Sequence, residues 1–317
     1  MLEHGGRLQE AAARWGIPPG DWLDLSTGIA PWPYPLPAPP VEVWQRLPED
    51  DDGLDSVAQA YYRSGRLLLL PGSQAAIQWL PRLMPAGRVA LPAPLYNEHP
   101  AAWQAAGHAP VGWNESADYV VLCNPNNPTG RTYGRDELLA RAQGLRLLVV
   151  DEAFIDADPA ASLAAVAGTP GHEHIVVLRS LGKFFGLAGV RLGCAIGAPA
   201  LLDRLAAAVG PWAVSHPARW AAGLALADAG WQARQRARLQ AAAPRLAVLL
   251  ADAGHGVPTG TALFQYLATP RAEALYDALA RRGILVRKFA APAALRFGLP
   301  GDEAEWQRLT QALKEIA

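Results

Sequence analysis

Lys183 stands in a stretch with few competing charges, Ser180-Leu-Gly-Lys183-Phe-Phe-Gly-Leu-Ala-Gly-Val-Arg191-Leu-Gly193. Its neighbours Leu181, Phe184 and Phe185 are apolar, and desolvation lowers a lysine pKa toward the neutral amine that Schiff-base chemistry needs. Ser180 and Arg191 offer a hydroxyl and a guanidinium suited to one phosphate. Taken alone, the lysine reads equally well as an exposed loop residue. Asp151 ends the apolar run Val149-Val150-Asp151-Glu152-Ala153-Phe154. It is either an ordinary strand-terminal acid or a buried carboxylate that keeps a cofactor's ring nitrogen protonated. In Cys123-Asn124-Pro125-Asn126-Asn127-Pro128-Thr129-Gly130, the proline steps mark a tight loop, and three asparagines offer amides to a ligand. Pro71-Gly72-Ser73-Gln74 is a strand-to-helix junction whose free N–H groups suit a phosphate.

These residues need elements to hold them. Short apolar runs at Leu67–Pro71, Arg88–Pro92, Ala109–Trp113, Tyr119–Cys123, Leu145–Val150, Ile175–Leu178 and Leu192–Ile196 read as strands. Helical patterns at Gln74–Met84, Glu98–Ala106 and Arg135–Ala142 fall between them. The alternation predicts an α/β fold, a mostly parallel seven-stranded sheet covered on both faces. Ligands of such sheets sit beyond the strands' carboxyl ends, where the residues above cluster. Beyond about residue 200, alanine-rich helices such as Trp231–Leu250, strands at Leu263–Leu267 and Ile284–Phe289, and a closing helix from Asp302 to Ile316 predict a smaller α+β domain. The expected division is an N-terminal arm over the active site (1–40), a large cofactor-binding domain (41–200) and a small C-terminal domain (201–317). Residues 31–40 hold six prolines, too stiff for a helix or central strand. They read as a linker or as part of the arm.

Composition narrows the class. The 317 residues are 51% hydrophobic and 18% charged, which excludes a disordered chain. Lys+Arg number 28 against 29 Asp+Glu, so no positive surplus exists to neutralise nucleic-acid phosphates. Cys123 and Cys194 have no CxxC partner and read as buried thiols, with no metal site expected. No apolar stretch is long enough for a membrane span, and Met-Leu-Glu-His-Gly-Gly lacks the pattern of a signal peptide. A cytoplasmic enzyme is expected.

In their order along the chain, the four segments resemble fold-type I pyridoxal-phosphate (PLP) enzymes of the aspartate aminotransferase superfamily. The resemblance runs from about Asp24 to the C-terminus. It implies that Lys183 forms the Schiff base with PLP and that Asp151 pairs with the pyridinium nitrogen. It further implies that Asn127 bonds the 3′ oxygen, that Tyr96 stacks on the ring, and that Gly72, Ser73, Gln74, Ser180 and Arg191 hold the phosphate. Phe154 departs from the many aminotransferases that have tyrosine there, so the 3′ oxygen loses one donor. A homodimer is implied as well.

The substrate is read from the ends. Glu3-His4-Gly5-Gly6-Arg7, then Asp24-Leu25-Ser26-Thr27-Gly28-Ile29-Ala30-Pro31, and later Leu295-Arg296-Phe-Gly-Leu-Pro300 with Trp306, resemble the threonine-phosphate decarboxylase family of cobalamin biosynthesis. That resemblance implies PLP-dependent decarboxylation of O-phospho-L-threonine, with His4, Arg287 and Arg296 binding the substrate's anionic groups. His4 is otherwise a tail residue, and Arg287 with Lys288 otherwise a solvated strand end. Which arginine takes carboxylate and which phosphate stays open. Histidinol-phosphate aminotransferases are similar, but Leu47-Pro-Glu-Asp-Asp-Asp lacks the tyrosine of their usual YPDP-like segment. A PLP-binding transcriptional regulator is the remaining alternative, disfavoured by the near-neutral charge.

Overall fold

The apolar runs fold as strands, and three of those in the larger sheet are buried along their whole length. In the computed structural model, which describes residues 4–316, the strands in chain order are β1 (Leu23–Asp24), β2 (Leu67–Leu70), β3 (Arg88–Ala90), β4 (Ala109–Val111), β5 (Tyr119–Cys123), β6 (Leu147–Asp151), β7 (Ile175–Ser180), β8 (Gly193–Ile196), β9 (Thr259–Thr261), β10 (Phe264–Ala268), β11 (Ile284–Leu285), β12 (Arg287–Ala290) and β13 (Ala293–Gly298). All seven expected strands join one sheet in the order β2-β8-β7-β6-β5-β3-β4. Only β8 runs against its neighbours. Every residue of β5 and β6 is buried. Helices cover both faces of such a sheet, so its central strands are apolar throughout rather than alternating.

The chain forms two compact units. The larger holds residues 33–127 and 132–234; the smaller holds the chain up to Trp32, Pro128–Arg131 and everything from Gln235. The expected boundary near 200 thus differs from the observed one. The helices Pro199–Val209 and His216–Ala227 belong to the larger unit, and the changeover falls inside the helix Ala229–Asp252. The expected arm also divides, at Trp32/Pro33. In the proline-rich stretch, the Tyr34 N–H donates to Phe185 O at 2.8 Å and the ring meets Trp231 edge-on at 5.2 Å, so this part is anchored rather than a free linker.

In the larger unit the helix Ser73–Leu83 turns Ala76, Ile77 and Leu80 into the core beside Val149, Val176 and Leu178. Burying Ile77 or Leu80 is worth about 1.5–3 kcal/mol each. Ile77→Ala would cost about 2–5 kcal/mol once the cavity is included. In the smaller unit, β12-β13-β10-β9 form an antiparallel sheet. The run Ile284–Phe289, expected as one strand, serves two sheets: Ile284–Leu285 pair in parallel with Leu23–Asp24, and Arg287 onward pairs with β13. The N-terminal segment is thereby stitched into the smaller unit.

Candidate active site

In the larger unit the site begins where a helix starts very close to a strand. Ser180 on β7 pairs with Gly193 on β8. A Cβ at Gly193 would lie 2.5 Å from Arg179 O and 2.6 Å from Ser73 N, so only glycine lets the helix N-terminus approach the sheet here. Gly72 has φ +77, and a Cβ on it would lie 2.8 Å from an Arg191 Nη. Arg191 itself takes a left-handed backbone at φ 56 and is exposed. No side chain caps the first turn of Ser73–Leu83, and of its N–H groups that of Ala75 donates to Gly72 O, which leaves those of Ser73 and Gln74 to a ligand beside that guanidinium. Ser180 Oγ accepts from the Gly182 N–H at 3.3 Å. The helix start, Ser180 and Arg191 thus form a glycine-cleared cradle that suits a phosphate. The Gln74 side-chain amide donates to Glu98 at 2.8 Å, which leaves its backbone N–H to the cradle.

The second cluster is buried. Asp151 closes β6 at 4% exposure. Its Oδ1 accepts from the Ala153 N–H at 3.0 Å and its Oδ2 lies 3.0 Å from His99 Nε2. An ionised carboxylate only accepts, so His99 donates from Nε2. A carboxylate has about four acceptor sites, which leaves Asp151 room for a further donor such as a ring N–H. Burial holds the Tyr96 hydroxyl up at about 12, reinforced by Glu98 and Asp151. Burial likewise pushes the Cys123 thiol well above its usual range, reinforced by Asp151 and opposed by backbone hydrogen bonds from Asn127 and Tyr96. His99, Cys123 and Asp151 offer ligand atoms within 4.8 Å of one another, yet a thiol that holds its proton is a poor metal ligand. Lys183 is half-buried, its Nζ 5.8 Å from the Phe154 ring centroid.

The residue types alone offer all three loop asparagines as ligand donors, and the structure separates them. Asn124 pairs both amide atoms with the Tyr133 backbone, and Asn126 donates to Pro94 O at 3.0 Å. These two shape the loop, while the Asn127 backbone N–H meets the Cys123 thiol. His99 was missed, although it follows Tyr96 by three residues at the start of the helix Glu98–Ala105, a spacing that sets both on one side of the turn.

The smaller unit gathers the residues read from the chain ends. A pocket of about 190 Å³ is lined by His4, Arg7, Arg14, Ser26, Arg287 and Lys288, among others. The His-Gly-Gly start has a steric reason: a Cβ on Gly5 would lie 2.2 Å from Ser26 O, and Gly6 needs φ +79. The Gly6 N–H donates to Ser26 Oγ at 2.7 Å, and that hydroxyl donates to Asp24 at 2.6 Å. Lys288 is committed to Glu273 at 2.6 Å. Arg296, 7% exposed, lies outside the pocket lining but pairs directly with Arg287 across the strands. It donates to Ser26 O at 3.1 Å and lies 5.0 Å from the centre of the Phe264 ring. His4 and Arg287 therefore share a cationic pocket, and Arg296 adjoins it through Ser26.

A lysine on the loop after β7, a buried acid ending β6 and an anion cradle at a helix start are the furnishings of a PLP-type site on a mostly parallel sheet. The model of the family "aminotransferase class I and II" matches residues 53–313, and the chain belongs to that family. It is 54% identical to a threonine-phosphate decarboxylase of Pseudomonas aeruginosa, over 99% of this chain and 97% of that one. A second threonine-phosphate decarboxylase, from a Sinorhizobium species, is 45% identical over 99% and 98%. A histidinol-phosphate aminotransferase of Symbiobacterium thermophilum is more distant, at 31% identity over 97% and 80%. Among solved structures, the histidinol-phosphate aminotransferase of Sinorhizobium meliloti in complex with pyridoxal-5′-phosphate superposes with a TM-score of 0.84 at 20% identity, covering 99% and 95%; it shares the fold. No helix among the described residues is long and apolar enough to cross a membrane.

Proposed function

We propose that this chain decarboxylates O-phospho-L-threonine to (R)-1-amino-2-propanol O-2-phosphate, a step of cobalamin biosynthesis, using PLP. The observation that carries the reading is the 54% identity to a threonine-phosphate decarboxylase over nearly the whole of both chains. The residues present fit the cofactor: glycines keep the phosphate cradle clear, and Asp151 retains acceptor capacity in a buried setting. Gly72, Ser73, Ser180 and Arg191 would hold the phosphate, with Gln74 through its backbone. Asn127 would bond the 3′ oxygen and Tyr96 would stack on the ring. PLP supplies an electron sink for the pair left when a bond to the substrate's Cα breaks.

The chain's own residues do the rest. Asp151 would accept from the ring N–H and keep that sink protonated, while His99 fixes the carboxylate's orientation. Lys183 would hold the cofactor through Nζ, and once the substrate's amine has taken its place the freed Nζ would supply the proton at Cα. His4, Arg287 and Arg296 hold the substrate's phosphate and carboxylate, so that the Cα–carboxylate bond is the one presented for cleavage. Lys183→Ala is the direct test of the assignment. It should lose both turnover and the visible absorbance of covalently held PLP, and retained turnover would remove Lys183 from the mechanism.

The working form is proposed to be a cytoplasmic homodimer. Trp44, Leu47 and Trp212 in the larger unit are each more than 60% exposed, an unusual outlay of large apolar surface that a second copy would cover. Both cysteines are buried thiols, in keeping with a reducing compartment. Light scattering of PLP-saturated protein should give twice the chain mass; a monomer would remove the dimer.

A further inference from the structure

Behind the cofactor residues lies a fully buried ion cluster for which the proposed reaction has no use. Arg179 is 2% exposed, Glu152 0% and Asp156 1%. Arg179 Nη1 donates to Glu152 at 3.3 Å, and its Nη2 donates to Asp156. Glu152 also accepts from Ser162 Oγ and, at 2.8 Å, from the Leu163 N–H. Asp156 accepts from the Tyr61 hydroxyl at 2.8 Å, and the Tyr62 ring centroid is 4.8 Å from the guanidinium. Burial alone would lower the Arg179 pKa, but Asp156 and Glu152 more than reverse this and raise it.

Such a cluster is a poor way to gain stability. Desolvating three charges offsets their attraction, and apolar groups of equal volume do as well or better. Arg179 Nε also has no hydrogen-bond partner among the described residues. Its position is more telling than its strength. Asp151 pairs with Leu178 in the sheet, so by strand alternation Asp151 and Ser180 share one face while Arg179 occupies the other. Glu152 directly follows Asp151 and extends the ladder through its N–H to Leu178 O at 2.8 Å. One guanidinium therefore ties the residue after Asp151 to the residue before Ser180. Through Asp156 and Ser162 the same group pins the loop that carries Phe154, whose ring adjoins Lys183. Tyr61 continues the tie to Phe185, with ring centroids 5.7 Å apart.

We propose that Arg179 is a positioning residue for the cofactor grip, setting Asp151, Ser180 and Phe154 at a fixed spacing around Lys183 from the reverse face of the sheet. The inference rests on the proposed PLP site. It predicts that the grip loosens when the cluster is removed even where the fold survives.

The test is equilibrium PLP binding to apo-protein, read together with the visible circular dichroism of the bound cofactor and the melting temperature of the apo form. Arg179→Met alone strands two buried carboxylates, so the informative variant is the uncharged set Arg179→Met, Glu152→Gln and Asp156→Asn. It should melt near the wild type yet bind PLP at least tenfold more weakly, with altered dichroism. Tyr61→Phe removes one hydroxyl from a half-buried side chain and serves if the triple variant does not fold; a two- to fivefold weakening is expected. Wild-type affinity and dichroism in whichever variant folds would make the cluster purely structural and overturn the inference. Wild-type protein that itself binds no PLP would overturn the inference together with the cofactor assignment.

Discussion

His99 Nε2 lies 3.0 Å from Asp151 Oδ2, and the two side chains are sealed from water at 1% and 5% exposure. The pair fixes one carboxylate oxygen and leaves the acid's remaining lone pairs to a ligand. A hydrogen bond to a charged group is worth about 1.5–3 kcal/mol. His99→Phe, which keeps the ring's bulk, should therefore weaken PLP binding by about 10- to 100-fold and lower kcat, with the melting temperature of the apo-protein little changed. Titration of apo-protein with PLP reads the first effect. Unchanged affinity would make His99 a packing residue only.

The cradle makes a steric prediction. Gly193→Ala sets a methyl 2.5 Å from Arg179 O and 2.6 Å from Ser73 N, both backbone atoms that yield only by moving the helix off the sheet. Overpacking of this kind costs about 1–3 kcal/mol. The urea midpoint should fall and PLP affinity with it. An alanine variant with wild-type affinity would show that the helix start does not hold the phosphate.

These two cases separate what the residues alone disclosed from what they hid. The seven strands, the lysine loop and the strand-ending acid were legible because apolar runs, glycines and turn residues mark them locally. His99 was not: its importance lies in a contact with Asp151, 52 residues away. Asn124 and Asn126 looked like ligand donors because an amide's partner is invisible until the loop closes on Tyr133 and Pro94. That the Gln74 side chain meets Glu98 is hidden in the same way. The changeover between the compact units inside Ala229–Asp252 has no mark in the sequence, because helices after residue 200 share one composition, whichever unit they pack in.

For the substrate pocket, a hydroxyl helps to hold the N-terminal His-Gly-Gly: the Gly6 N–H donates to Ser26 Oγ. Ser26→Ala removes the acceptor of the Gly6 N–H and should loosen His4. A neutral hydrogen bond of about 0.5–1.5 kcal/mol corresponds to a roughly 2- to 12-fold rise in KM for the phosphorylated substrate. His4→Ala should raise KM at least as much, and PLP affinity should stay at the wild-type value in both. A KM unmoved by either change would return His4 to the tail.

Alkaline pH should destabilise the fold in a defined window. Burial, only partly opposed by Arg179, pushes the Cys194 thiol from 9.0 up to about 12, and burial raises Tyr96 from 10.0 to about 12. Both acids hold their protons longer when folded, so the native state binds more protons than the unfolded chain between the two values. Their contribution is complete below pH 9 and drains away as pH rises toward 12. Urea midpoints measured from pH 8 to 11 should fall; Cys194→Ala should lessen the fall beginning at pH 9, to which buried Cys123 also contributes, and Tyr96→Phe the fall beginning at pH 10, to which buried Tyr62 also contributes. A flat wild-type profile would contradict the assignment.

The most direct measurement is carbon dioxide release from O-phospho-L-threonine by purified, PLP-loaded protein with no keto acid present. The account predicts many turnovers per chain, one carbon dioxide for each aminopropanol phosphate formed. Visibly cofactor-loaded protein that releases none, yet converts histidinol phosphate when 2-oxoglutarate is added, would contradict it and make the chain an aminotransferase.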